Sequence, residues 1–357
     1  MRLQVINLPT KMQDFRIIFF ADTHLGFDYP VKPRLHRRRR GLDFFENFHR
    51  VLDYARQTRP DALLHGGDVF FRARVPQRIV DMVYSDLFEF AAEGIPLLIV
   101  PGNHERSILP ASLFLGHPNI HVFDHPRTFA FEFNGSQVTF SGFPCQRKKV
   151  HRLFSGLIEA TGWSQYQETC QLLCLHQTIE GARIGPAGFT FRWGEDVIPR
   201  SDLPRQATAV LSGHIHRQQV LSSNLQDKSA PAPVIYPGSI ERTSFAERDE
   251  EKGFYEIIFS NRSSEKWLVQ QLNFHPLPAR PMLDVTLEKS LQPGDVVGFI
   301  QAAVSRLDPG AIIRLRCDPE IDPQTKSVLT SSLLREILPD TMNYQFSSDF
   351  HQWKKES

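Results

Sequence analysis

Five apolar runs of strand length, each closed by a polar signature, constrain this chain more than any other feature. Residues 16–21, 62–65, 96–100, 171–175 and 209–212 lead, in that order, into Asp22-Thr23-His24, Gly67-Asp68, Gly102-Asn103-His104-Glu105, His176 and Gly213-His214-Ile215-His216. Each run is too short for a helix and rich in Ile, Val, Leu and Phe, the pattern of a strand buried on both faces. In a layered α/β sheet, residues just past the carboxyl ends of such strands gather in one crevice. Five distant segments are therefore expected to meet at one site.

Between the strands the spacing turns helical. Leu42, Phe45, Phe48, Val51, Leu52 and Ala55 form an apolar stripe before Pro60, and Ile79, Met82, Val83, Leu87, Phe88 and Ala91 repeat it within 78–93. Strand and helix in alternation start a parallel α/β sheet. Residues 128–133 and 137–141 then flank Asn134-Gly135, a hairpin signal of type I′, and further strands are expected at 234–236, 254–259 and 267–272. Two packed sheets between outer helices are the simplest assembly. Three prolines within His275-Pro276-Leu277-Pro278-Ala279-Arg280-Pro281 read as a linker. Beyond it, strands at 282–287 and 311–316 and helices at 296–307 and 326–338 predict a small α+β domain. The expected division is 1–274, a linker at 275–281, and 282–357.

With 357 residues, 41% hydrophobic and 23% charged, the chain has the composition of a globular protein rather than a disordered adaptor. No apolar run approaches the roughly 20 residues of a membrane span, and the first 13 residues lack the apolar centre of a secretory signal. A cytoplasmic location is the expectation. Cys145, Cys170, Cys174 and Cys317 show no zinc spacing and are expected to be reduced. A formal net charge of +1 excludes a generally basic coat for nucleic acid. Any such contact must rest on local clusters, of which Arg37-Arg38-Arg39-Arg40 and Arg147-Lys148-Lys149 stand out. Either cluster suits a phosphate backbone or a solvated surface.

The signatures offer carboxylate, amide oxygen and imidazole and no thiolate, a donor set for Mn²⁺, Fe²⁺ or Zn²⁺, with Mn²⁺ the first choice. Taken singly, Asp22 reads as a helix cap and His176 as a core histidine. The ordered set points instead to two divalent ions, roughly 3.5–4 Å apart, bridged by one carboxylate and acting on a phosphoryl group.

The series Asp-x-His, Gly-Asp, Gly-Asn-His-Glu, His and Gly-His-x-His resembles the calcineurin-like metallophosphoesterases over residues 22–216. That resemblance implies an αββα sandwich followed by a small α+β capping domain. It further implies that Asp22, His24, Asp68 and His216 hold one ion, and that Asp68 bridges to a second held by Asn103, His176 and His214. His104 is then the catalytic residue that stabilises the transition state or protonates the leaving oxygen, and Glu105 supports the ligands from outside. The segment from Tyr236-Pro237-Gly238-Ser239-Ile240-Glu241-Arg242 to Phe254 is similar to the SbcD-type, or meiotic recombination eleven, nucleases. These are Mn²⁺-dependent DNA exonucleases and endonucleases of double-strand-break repair. That similarity implies a DNA substrate and a homodimer, and charge placement makes Arg37, Arg38, Arg39 and Arg40 candidate contacts. Two departures qualify it. Phe71 stands where many such nucleases have histidine, and the sequence stops at Ser357 without the extension that grips an SbcC-type ATPase. A phosphodiesterase for nucleotides or other small esters, and a DNA-end-binding assembly subunit with secondary cleavage, are the competing expectations.

Overall fold

The computed structural model describes residues 14–29, 37–106, 109, 116–133, 135–166, 169–223, 229–262 and 266–347. Two six-stranded sheets lie face to face. The first has the order Leu268–Pro276, Gly253–Ser260, Asp14–Phe20, Ala62–His65, Leu97–Ile99, Ile120–Val122. Its last four strands run parallel, as the alternation of strands and helices predicts. The second has the order Gln219–Ser223, Ser229–Tyr236, Ala209–Gly213, Cys170–His176, Ser136–Gly142, Arg127–Phe133.

The period-2 alternation of a strand sorts its side chains between two layers. Phe15, Ile17 and Phe19 point into the space between the sheets, where they meet Phe140, Leu172 and Leu211. Ile18 and Phe20 point outward to Phe44, Phe48 and Val51 of helix Gly41–Thr58 and Val83 and Leu87 of helix Gln77–Ala91. On the far side, Leu173, Leu175 and Val210 pack with Phe154 of helix Val150–Ala160. The result is the expected αββα sandwich, each fully buried Phe or Leu contributing about 1.5–3 kcal/mol.

The first helix departs from its expected stripe. Leu42 is 37% exposed, whereas Asp43 and Asn47 are buried. The cause is a polar seam, in which Asp43 binds Arg38 and Arg280 and the Asn47 amide donates to the carbonyls of Ile240 and Pro278. The hairpin expected at Asn134-Gly135 pairs as predicted, Phe133 opposite Ser136. Asn134 lies outside the described residues, and Gly135 has φ +80°.

The small domain has a parallel three-stranded sheet, Met282–Leu287, Ile312–Cys317 and Asn343–Phe346, over a separate core that includes Leu287, Ile300, Ile313 and Leu315. The sequence reading missed the third strand. The single helix expected at 326–338 is two, Pro323–Val328 and Ser331–Ile337, because the Thr330 hydroxyl caps the second by accepting from Leu333 N at 3.1 Å. The strand Leu268–Pro276 also runs two residues into the expected linker, His275 pairing with Phe254 and Pro276 with Gly253.

Two residues of the arginine run reach the small domain, Arg37 through its side chain and Arg38 through its backbone, whose N donates to Asp340 O and whose O accepts from the Asn343 amide, each at 2.8 Å. Arg37 donates to the carbonyls of Arg335, Leu338, Pro339 and Met342 at 2.7–3.1 Å, closing the carboxyl end of the Ser331–Ile337 helix, a favoured place for a cation. Arg38 bonds Asp43 at 2.6 Å and also reaches Glu46. Arg39 pairs with Asp28, and Arg40, buried, donates to the Arg242 carbonyl with its guanidinium 5.1 Å from the Phe27 ring. Candidate DNA contacts in the sequence, these groups are committed to protein partners here. Arg280 completes the junction through Asp43 at 3.0 Å, the Asn343 amide oxygen at 2.7 Å and the Thr341 carbonyl at 2.7 Å. Arg280→Ala leaves the buried Asp43 short of a cation and is expected to cost about 3 kcal/mol. Urea unfolding measures this, and limited proteolysis should then cut the small domain first; an unchanged midpoint would contradict the junction's role.

Candidate metal centre

The strand ends place the signatures with unusual backbone geometry. Asp22, His24, Asp68 and His214 have φ of +52°, +44°, +55° and +85°, a region L-residues adopt at a cost, Asp and His more readily than most. Hydrogen bonds lock these turns to one another. Asp22 N donates to Gly67 O at 2.8 Å, His24 N to Asp68 O at 3.0 Å and Leu25 N to Val69 O at 2.8 Å. Two glycines are sterically required. A Cβ on Gly102 would lie 2.1 Å from Asp68 Oδ1, and one on Gly67 would lie 2.3 Å from His176 Nδ1.

Around the Asp68 carboxylate the donor atoms fall into two sets. In one, His24 Nε2 lies 2.9 Å from His216 Nε2, with Asp22 Oδ1 4.0 Å from the latter. In the other, Asn103 Oδ1 lies 3.0 Å from His176 Nε2 and 2.8 Å from His214 Nδ1, and Asp68 Oδ2 is 3.3 Å from His176 Nε2. The triads Asp22-His24-His216, His24-Asp68-His104 and Asp22-Asp68-His176 each bring their ligand atoms within 4.8 Å of one another.

The far side of two rings shows that these atoms suit a cation. His176 Nδ1 lies 2.7 Å from the Gly66 carbonyl, which can only accept, so in the neutral ring Nε2 turns a lone pair toward the Asn103 and Asp68 oxygens. His216 Nδ1 lies 3.2 Å from Glu247 Oε1 and its Nε2 likewise faces His24. Acceptors aimed at acceptors favour a shared positive charge between them, and His24 Nδ1 is itself buried without a hydrogen-bond partner among the described residues. The residues fit two divalent ions of the Mn²⁺, Fe²⁺ or Zn²⁺ type.

Without an ion, protons compensate the same charges. Burial opposes charge on Asp68, yet His176, His24 and His104 hold its carboxyl well below the usual carboxylate range. Burial also opposes a proton on His176, but Asp68 and Asp22 raise it to about 9; a divalent ion competes for the same lone pair. His214 is pushed down to about 3 by burial, with His176 adding to the effect, and therefore stays neutral.

The supporting residues are buried in the same turns. Glu105 accepts from Phe70 N at 2.7 Å and Gly102 N at 3.0 Å, so it braces two loops, and burial and Asp68 raise its carboxyl to about 8. His65 is held neutral, pushed down to about 3 chiefly by burial. Its Nδ1 accepts from Gly67 N at 3.1 Å, which leaves Nε2–H to donate to Thr23 Oγ1 at 3.0 Å. His104 sits at the rim with a third of its side chain exposed. Its backbone N donates to Asp68 Oδ1 at 2.8 Å and its Nδ1–H to the Phe71 carbonyl.

The seven candidate ligands and His104 thus come together, while Arg37 and Arg38 engage the domain junction. Sequence reasoning missed Glu247 and Lys252. Glu247 holds His216 Nδ1 and accepts from Thr243 Oγ1 at 2.6 Å, and buried Lys252 binds it at 2.8 Å. Both lie within residues 236–254, yet no spacing rule singles out a carboxylate 31 residues beyond its histidine. Glu247→Gln is expected to weaken divalent-ion affinity about 10–100-fold, measured by calorimetric titration. Gly102→Ala should abolish the rise in melting temperature that Mn²⁺ gives the wild type; an undiminished rise would show that the loop has room.

The calcineurin-like phosphoesterase family matches residues 15–218. Proteins named DNA double-strand break repair protein Mre11 are similar over more of the chain. That of Methanopyrus kandleri is 24% identical, covering 67% of this chain and 51% of its own. That of Archaeoglobus fulgidus is 23% identical, covering 88% and 71%, and that of Methanosarcina mazei 25% identical, covering 91% and 48%. The chain spans about half the length of the first of these relatives. A dimetal phosphatase from Danio rerio superposes at a TM-score of 0.45 with 12% identity, covering 72% of this chain and 99% of that one. The chain belongs to the calcineurin-like phosphoesterases and is a hydrolase of phosphoester bonds with homologues among the archaeal Mre11 proteins.

Proposed function

We propose that this chain is a divalent-metal-dependent DNA nuclease, cleaving phosphodiester bonds in the processing of DNA ends. The observation that carries the reading is the convergence of seven oxygen and imidazole donors, the buried Asp68 carboxylate among them, from five strand ends. Similarity to Mre11 proteins over as much as 91% of the chain supports DNA as the substrate. Asp22, His24, Asp68 and His216 would hold one ion, and Asp68, Asn103, His176 and His214 the other. Mn²⁺ suits this mixed oxygen and nitrogen set. Two such ions supply charge neutralisation and water activation at the phosphoryl group.

The remaining work falls to the chain's own side chains. Gly66 O and Glu247 fix the rings of His176 and His216. The Phe71 carbonyl orients His104, so that its Nε2 is left at the rim to give a proton to the departing ribose oxygen. Phe71 presents its ring, not a second imidazole, beside His104 at 5.8 Å, so this proton transfer rests on His104. Cytoplasmic action fits four free cysteines and a set of described helices none of which is long and apolar enough to cross a membrane. A homodimer and an SbcC-type ATPase partner are further parts of this reading, drawn from resemblance.

Asp68→Ala is expected to eliminate Mn²⁺-dependent cleavage of end-labelled linear DNA. His104→Ala should lower DNA cleavage about 10²–10⁴-fold but spare bis-p-nitrophenyl phosphate, whose leaving group departs without a proton. Equal losses on both substrates would remove the leaving-group role. Activity confined to small esters in the wild type would replace the nuclease reading with that of a small-molecule phosphodiesterase.

A further inference from the structure

Two features of the sequence and surface lie outside the metal chemistry, the cluster Arg147-Lys148-Lys149 and an exposed aromatic hairpin. The hairpin pairs Arg183–Ile184 with Phe189–Thr190. Its aromatic edge continues to Trp193. Phe189 is 60% exposed and Trp193 is 80% exposed, the most open large apolar side chains among the described residues. They line one shallow depression together with Arg192. Neither ring contributes to a core cluster, whereas their neighbour Phe191 packs inward.

Both features are tied to the metal centre. Arg217, next to His216, donates to the Gly185 carbonyl in the hairpin turn at 2.7 Å. Cys145 N donates at 2.9 Å to Pro101 O, immediately before Gly102-Asn103-His104, and the basic cluster begins two residues later. The two features also meet each other. Lys149 N donates to Asp196 Oδ1 at 2.7 Å, and His151 N to Glu195 O at 3.1 Å.

The charge on this face is uncommitted. Arg147, Lys148, Lys149, Arg183 and Arg192 are exposed, and none of their side chains has an ion-pair or hydrogen-bond partner among the described residues. Of the nearby carboxylates, Glu195 pairs with Arg152 at 3.1 Å and Asp196 caps the Lys149 amide. Five free cations beside two open rings match a polyanion whose flat groups are accessible. In a duplex the bases stack on each other and are closed to a side-chain ring, whereas unpaired bases can stack on Phe or Trp while cations follow the phosphates.

We propose that the hairpin carrying Phe189 and Trp193, with Arg147-Lys148-Lys149, is a binding platform for single-stranded nucleic acid leading to the metal centre. It rests on the nuclease reading and narrows it, because a strand must be unpaired over the platform before its phosphate reaches the ions. The rings supply stacking without sequence preference. The cations supply affinity that falls with salt.

Fluorescence anisotropy tests this on the full chain in EDTA, with labelled oligothymidylate and a labelled duplex of equal length. Trp193→Ala and Phe189→Ala should each weaken oligothymidylate binding about tenfold, change duplex binding much less, and leave bis-p-nitrophenyl phosphate hydrolysis in Mn²⁺ at the wild-type rate. Trp193→Phe should restore most of the affinity, and Lys148→Ala with Lys149→Ala should flatten the salt dependence. Equal losses for both ligands, or none, would overturn the platform. If the wild type hydrolyses the ester but binds neither nucleic acid, the nuclease reading fails and the platform with it. If it cuts DNA and the ring variants bind normally, only the platform fails.

Discussion

One buried carboxylate organises this molecule. Asp68 sits 2% exposed between imidazoles from three other segments, and its backbone carbonyl also ties down the turn that carries His24. Such a group is costly to bury unless positive charge surrounds it. The parallel strands bring that charge from segments more than 100 residues apart. Removal of Asp68 would therefore disturb the alignment of the two sheets at their carboxyl ends as well as the donor set.

The parts of the fold legible in sequence were those governed by short-range periodicity. The apolar run at 16–21 announced a strand buried on both faces, and the polar signatures marked where each strand stops. The parts that were not legible depend on contacts between distant elements. Nothing local distinguishes Leu42 from Phe45 as a core residue; Leu42 is exposed because the polar seam of Asp43 and Asn47 claims the face toward Ile240 and Pro278. Likewise the helical spacing of 326–338 gave no warning that the Thr330 hydroxyl would start a new helix.

The same limit applied to the site. The seven donors and His104 were recoverable because each follows a strand and carries a recognisable residue type. Glu247 was hidden because its role depends on a short turn folding back onto His216, a relation set by Lys252 and Thr243 rather than by spacing. The arginine run was ambiguous in sequence. Four adjacent cations suggested a polyanion, but helix ends, backbone carbonyls and carboxylates within the protein offer the same electrostatic attraction.

Arg37 gives the small domain a grip that the covalent linker does not supply. Its guanidinium reaches four carbonyls of that domain from a position only 13 residues after His24, while the chain itself enters the domain at Met282. The sandwich and the small domain are thus joined by two segments far apart in sequence, at Arg37-Arg38 and at Arg280, which meet in space at Asp43 and Asn343. A cut made at the prolines would therefore leave the four Arg37 contacts to the small domain in place.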